Sequence, residues 1–404
     1  MGTRDYDDMA RDGVDLLAYR DEHAEPVDLD ELEAERPGRA PKPKLEPLPW
    51  RTVGDWSEVD GADWLTTNPP PRRWLARDTR DIDGKPAEAD KRPGVLSRKI
   101  VGILASAGGV GKTFALCELA ALVAGGGTGT HGCLWLDRFA VEDGPVLFLA
   151  GEETGDELRR RLFAVVRRLS TNATGRLHGP ALDAIRRNLV IVPTAGVSDL
   201  PLLRLDAGGN LAPSARHAEI VARLNAPPGG EGWALVLVDP MVRWAAGDID
   251  RDNMAASALI GAFEAFTKAP GGPTVLVAHH TSKDARKGDV APTAEAATAG
   301  IRGASAITDN ARWAAQLTPG RRFEGAPEEI HFAVTKSNYG ARPNVKLVRS
   351  DEGPLRGATK ADDEAIKRAE IEAAKRKGET QEETKIARNE GRARLKGKAT
   401  GDDA

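Results

Sequence analysis

The residues best placed by type and spacing to do chemistry are Ser106, Ala107, Gly108, Gly109, Val110, Gly111, Lys112, Thr113 and Phe114. Gly108, Gly109 and Gly111 let backbone N–H groups curl round a phosphate, since no Cβ obstructs the approach or the positive φ angles. Lys112 brings a charge to the β- and γ-phosphates, and the Thr113 hydroxyl can hold Mg²⁺. Such a loop needs a strand running in and a helix running out. Ile100 to Leu104 is an apolar run of strand length, and Phe114 to Ala124 follows as a helical stretch. Its N-terminus adds unpaired donors and the positive dipole end. The usual phosphate loop opens with Gly or Ala where this chain has Ser106, and serine is small enough for the turn to survive. The pattern implies a nucleoside triphosphate.

In open parallel sheets the active site lies at the carboxyl ends of the strands, so acids and imidazoles closing apolar runs are the next candidates. Asp239 closes Trp233–Val238 and suits an acceptor that supports Mg²⁺. Glu152 follows the run Val146–Ala150 and could polarise an attacking water as general base, with Glu153 an alternative for the same role. His279 and His280 close Thr274–Ala278, where a neutral imidazole could sense the γ-phosphate. No further Cys, His or acidic set stands at metal-ligand spacing.

Several elements must position these groups. Strands are expected at Ile100–Leu104, Val146–Ala150, Leu189–Val192, Trp233–Asp239 and Thr274–His280, with a basic amphipathic helix over Asp156–Leu169. Ile330–Thr335 and Val345–Arg349 are expected to form a terminal antiparallel pair around a turn at Asn338–Pro343. Strands alternating with helices predict an α/β fold with a mainly parallel sheet covered on both faces. Gly125–Asp143 and Asp78–Pro93 are expected as loops.

Composition sets the bounds. The chain has 404 residues and a formal net charge of −4, so any basic surface must be local. Its two cysteines, Cys117 and Cys133, suit a reducing compartment. The acidic N-terminus lacks an apolar signal segment and no apolar run reaches membrane-spanning length, so a cytoplasmic protein with no membrane association is expected. Residues 1–48 read as an acidic disordered arm, and 49–94 as a Trp- and Pro-rich lead-in packed on the core, with Trp50, Trp56, Trp64 and Trp74 needing burial. Residues 95–355 form the nucleotide domain, and 356–404 are a charged tail, either a solvated helix or disordered.

Gly151-Glu152-Glu153, Val238-Asp239-Pro240 and His279-His280-Thr281-Ser282-Lys283 together resemble the RecA-fold ATPases, and within them the RepA-type hexameric replicative helicases of plasmids and phages. Arg302 to Trp313 is similar to that family's segment bearing the arginine finger, and Phe332 to Gly340 to its late strand and turn. The likeness covers roughly Trp74 to Leu355. It implies a RecA-like P-loop core, ATP and Mg²⁺ as cofactors, six subunits with ATP between neighbours, and movement along single-stranded DNA. On matching positions, Lys112 and Thr113 bind phosphate and Mg²⁺, Glu152 activates water and Asp239 supports the metal. Arg312 would enter the neighbour's site as the finger with Lys336 beside it, while Arg302 and Arg161 are alternative fingers. Residues 283–300, with Lys283, Arg286 and Lys287, and the segment at Arg243 and Trp244 are the candidate DNA-facing loops. The tails are open to a replication partner. Two other functions compete: a RecA-fold ATPase without helicase activity, such as a mediator or loader, and a dimeric partition ATPase of the ParA or MinD type. The second needs a lysine where this chain has Ala107.

Overall fold

Apolar runs without alternation are satisfied only between two apolar layers, and the chain builds a sheet of that kind. The computed structural model describes residues 51–171, 175–280 and 305–399. The 1–48 arm, Trp50, the 283–300 loop and Arg302 lie outside the described residues. Residues 51–70 with 205–210 form one small unit, and the rest of the described chain forms the larger one.

In the small unit, helix α1 (Val53–Asp60) opens on a reciprocal cap between Thr52 and Asp55 and stops at Gly61, whose φ of 65° is left-handed. Trp56 and Trp64 stack with ring centroids 5.3 Å apart. The tryptophan-rich lead-in thus divides, because Trp74 opens a strand of the larger unit.

That unit carries a small antiparallel sheet of β1 (Trp74–Asp78), β2 (Gly94–Ser97) and β4 (Phe139–Val141), in the order β2-β1-β4. The main sheet joins β3 (Val101–Ser106), β5 (Val146–Ala150), β6 (Leu189–Pro193), β9 (Leu235–Asp239), β10 (Thr274–His280), β11 (Trp313–Pro319), β12 (Glu329–Ser337), β13 (Asn344–Arg349) and β14 (Leu355–Gly357). Their order is β14-β13-β12-β11-β3-β10-β9-β5-β6, parallel from β11 to β6 and antiparallel from β11 to β14. A separate two-stranded ribbon pairs β7 (Leu203–Leu205) with β8 (Leu211–Pro213).

Alternate residues of each central strand face different cores. Leu235 and Leu237 meet α2 (Lys112–Ala124) and α4 (Gly155–Ser170), whereas Val236 and Val238 meet α6 (Ala215–Leu224) and α7 (Asn253–Phe266). The expected glycine-rich loop after α2 contains a short helix, α3 (Gly127–His131), as well as β4, and α5 (Gly179–Asn188) precedes β6. Two further elements lie outside the sequence expectation. Ser305–Asn310 forms α8, and Trp313 begins β11, whose mixed Trp-Ala-Ala-Gln-Leu-Thr-Pro sequence shows neither a continuous apolar run nor alternation. The charged tail takes its helical alternative, α9 (Lys360–Ala399), with Asp362 and Ile366 buried at its start. Among the described residues no helix is long and apolar enough to cross a membrane.

A buried charge locks the helix that follows the glycine-rich loop. Glu118 of α2 is fully buried and meets Arg168 of α4 at 2.5 Å, while Arg168 also reaches Asp137 at 3.2 Å. The Leu136 N–H donates to the same Glu118 carboxylate at 3.1 Å. Burial pushes the Glu118 carboxyl up to about 7 against the pull of Arg168. Removing one partner of such a pair leaves a buried charge uncompensated. Arg168→Met should therefore lower the unfolding free energy by about 3–5 kcal/mol in a denaturant titration. Arg167→Met, which removes only an exposed pair with Glu352, should leave the midpoint nearly unchanged.

Candidate active site

β3 ends at Ser106 and α2 begins at Lys112, so Ala107–Gly111 is the whole turn between them. Gly109 and Gly111 have φ of 79° and 114°, a region that side chains with a Cβ rarely enter. Gly111 caps α2 without any side-chain hydrogen bond, which leaves the first N–H groups of the helix to an anion. Lys112 is only 7% exposed, and its Nζ donates to the Ser106 carbonyl at 3.1 Å and to Ser106 Oγ at 3.0 Å. Ser106, buried, also donates its hydroxyl to the Ala107 carbonyl at 2.8 Å. The departure at this position thus supplies an acceptor for the lysine.

Parallel register brings the other candidates to the same edge of the sheet. Ala150 stands opposite Asp239, and His279 and His280 stand opposite Ala105 and Ser106. Thr113 Oγ1 donates to Asp239 Oδ2 at 2.8 Å, joining the helix start to the end of β9. Burial raises the Asp239 carboxyl despite the Thr113 hydrogen bond and the Lys112 charge. Burial likewise lowers the Lys112 ammonium despite Asp239 and Glu152. Each charge is therefore pushed toward its neutral form and lacks full compensation. A polyphosphate beside Lys112 and a divalent cation beside Thr113 and Asp239 supply the missing counter-charges, so the residues present fit Mg²⁺ with a nucleoside triphosphate.

The two glutamates after β5 differ in their surroundings. Glu153 meets Arg161 at 2.6 Å, and Arg161 also meets Glu157 at 3.0 Å and lies over the Phe114 ring, 5.7 Å from its centroid. Burial raises the Glu153 carboxyl, with Arg161 pulling the other way. Glu152 is exposed, and its charge acts on Lys112. Arg161 is thus engaged by Glu153 and Glu157 beside its own chain's glycine-rich turn. The Glu157–Arg161 spacing of four on one helix was the sequence signal for that engagement. His279 is buried, with Nε2 3.9 Å from Asp250 Oδ1. Arg243 donates to the Gly151 carbonyl at 3.2 Å and the Val197 carbonyl at 3.0 Å, while Trp244 is buried in the core. The Arg243 side chain thus braces the end of β5.

Arg312 and Lys336 stand elsewhere. The Arg312 N–H donates to the Val101 carbonyl at 3.1 Å, and Trp313 pairs with Gly102 and Ser337. This is the amino end of β3, five strand steps of about 3.3 Å, roughly 16 Å, from Ser106. Lys336 Nζ donates to the Thr308 and Asp309 carbonyls at 2.7 and 2.8 Å, capping α8. Burial lowers the Lys336 ammonium, Asp309 opposes that and Arg312 adds to it. On the β11–β13 flank of the glycine-rich turn, away from Asp239 and Glu152, a cavity of about 1420 Å³ touches Ala107–Val110, Pro319, Phe323 and Ile366.

The fold and this site define a P-loop nucleoside triphosphatase with a RecA-like core. The chain belongs to the AAA domain family, whose profile matches residues 57–286. Solved structures with a similar chain course include one described as an ATPase domain, at 13% identity and a TM-score of 0.45, covering 65% of this chain and 86% of that one. A DnaB-like replicative helicase, described with its interactions with primase, matches at 14% identity and a TM-score of 0.43, covering 65% of this chain and 59% of that one.

The surroundings of the glutamates generate an expected outcome. Glu152→Gln should bind ATP as the unmodified chain does and lose at least about 100-fold in turnover. Glu153→Gln, which loosens Arg161, should keep turnover within about tenfold. Steady-state hydrolysis with parallel nucleotide titration checks both, and the reverse ranking would move the base to Glu153.

Proposed function

We propose that this chain is an ATP-hydrolysing motor of the RepA-type helicase kind, a hexamer that acts on single-stranded DNA with its active sites shared between neighbours. One observation carries the reading. The phosphate-binding residues gather at one edge of the sheet, and the cations Arg312 and Lys336 stand at the opposite edge, too far to reach their own chain's site. A second subunit, edge to edge, brings the two halves together.

In this reading Lys112 exchanges Ser106 for the β- and γ-phosphates, and the backbone N–H groups at the start of α2 take the phosphate oxygens. Thr113 and Asp239 hold Mg²⁺, which when bound neutralises phosphate charge. Glu152 accepts the proton of the attacking water as its oxygen bonds to the γ-phosphorus and the bond to ADP breaks. Arg312 of a neighbour offsets the charge that develops on the phosphoryl oxygens, and Lys336 fixes α8 beside it. The nucleoside extends toward the cavity on the β11–β13 flank, the side away from Asp239 and Glu152. His279, buried between the strand end and Asp250, is suited to report phosphate loss to the segment that follows β10.

A mediator or loader would share these core motifs, since fold and ATP chemistry are common to both and the output lies in loops and tails, while Ala107 disfavours the partition ATPase. The test is the ATPase rate with and without single-stranded DNA, on protein whose mass in ATP and Mg²⁺ has been measured. A hexamer whose rate rises with DNA is expected. A dimer or monomer indifferent to DNA would refute the motor and leave an ATPase that acts through protein partners.

A further inference from the structure

The tip of the glycine-rich turn is held from outside the motif. Arg349, the last residue of β13, donates from Nη2 to the Gly109 carbonyl at 2.7 Å. Its Nε donates to Glu328 at 2.7 Å and its Nη1 to the Gly353 carbonyl at 3.2 Å. Its own N–H donates to the Glu328 carbonyl at 3.1 Å. Glu328 also pairs with Arg322. Burial tends to raise the Glu328 carboxyl, but the hydrogen bonds from Arg322 and Arg349 outweigh it and hold the group below the usual range. The Arg349 guanidinium, whose side chain is 20% exposed, is therefore fixed at three points while it grips the loop.

That grip has a consequence for the phosphate cradle. A trans peptide sets its C=O and N–H antiparallel. With the Gly109 carbonyl drawn to Arg349, the Val110 N–H of the same peptide faces away from Arg349. A Cβ at Gly109 would meet nothing within 4 Å. Glycine at 109 gives this peptide a wide choice of orientation, and the Arg349 hydrogen bond selects one. Backbone N–H groups in a turn of this kind are the donors an anion uses.

We propose that Arg349 is a positioning residue, which orients the Gly109–Val110 peptide so that the Val110 N–H is presented to a bound phosphate. The proposal rests on the nucleotide reading given above. Arg349 lies beyond the residues that match the family profile, on the far flank of the sheet from Asp239. The guanidinium fork matters because three acceptors diverge from it, and an ammonium cannot meet them all.

The experiment titrates a fluorescent ATP analogue and measures steady-state hydrolysis on the full chain. Arg349→Met should weaken ATP and ADP binding about tenfold and raise KM alike, with kcat within about twofold, as expected for a lost charge-assisted hydrogen bond that acts on binding. Arg349→Lys should recover part of the affinity, and Glu328→Gln should shift it in the same direction by less. Arg349→Met with unchanged affinity and KM would overturn the proposal, as would a fall in kcat with KM unchanged. If Arg349→Met does not fold, unchanged KM in both Arg349→Lys and Glu328→Gln overturns it equally. A parent chain that binds no ATP would refute the nucleotide reading itself, and this proposal with it.

Discussion

The site depends on a buried ammonium. Lys112 is enclosed by the turn that precedes it, and water cannot screen its charge. Ser106 gives it two acceptors, the carbonyl and the hydroxyl. Asp239 and Glu152 add opposing charge nearby, yet burial still favours the neutral amine. Asp239 shows the mirror image, a buried carboxylate raised despite Thr113 and Lys112. A polyanion beside Lys112 and a divalent cation beside Asp239 would offset both charges.

The sheet decides where that charge stands. Six parallel strands put every carboxyl end at one edge, so residues separated by 126 positions, Thr113 and Asp239, come within hydrogen-bond distance. The same order fixes what cannot meet. Arg312 and Lys336 follow from the amino end of β3 and face the opposite edge. In the proposed reading, Arg312 and Lys336 act at a neighbouring chain's site. The antiparallel strands β12 to β14 add a different function, because their ends return Arg349 and Leu355 to the glycine-rich turn. Leu355 lies against the position of a Gly111 Cβ at 3.2 Å, so that turn is covered as well as gripped.

Much of this was legible in the sequence where chemistry and pattern coincide. The run into Ser106, the glycines and Gly-Lys-Thr announce strand, turn and helix together, and Asp239 announces itself by ending an apolar run. Residues whose role depends on distant partners were not legible. Glu118 in the middle of an apolar helix gives no hint that Arg168 waits fifty positions later. Arg349 reads as a polar strand end, and its meeting with Gly109 across 240 positions follows only from the sheet order. Arg243 was visible as a cation, but the carbonyls that engage it were not, and of the partners of Arg161 the sequence spacing points to Glu157 and not to Glu153. β11 escaped because a strand enclosed by neighbours on both sides tolerates Gln316 and Thr318 in a buried setting.

The claim that one chain holds two separated halves is tested most directly by mixing variants. Arg312→Ala and Glu152→Gln each inactivate a different half, and hydrolysis is measured for each alone and for the two combined in ATP and Mg²⁺. Each should be inactive alone, and the mixture should regain activity, because some interfaces then pair an intact phosphate site with an intact Arg312. A mixture as inactive as its components, in assemblies shown to contain both chains, would contradict the shared site.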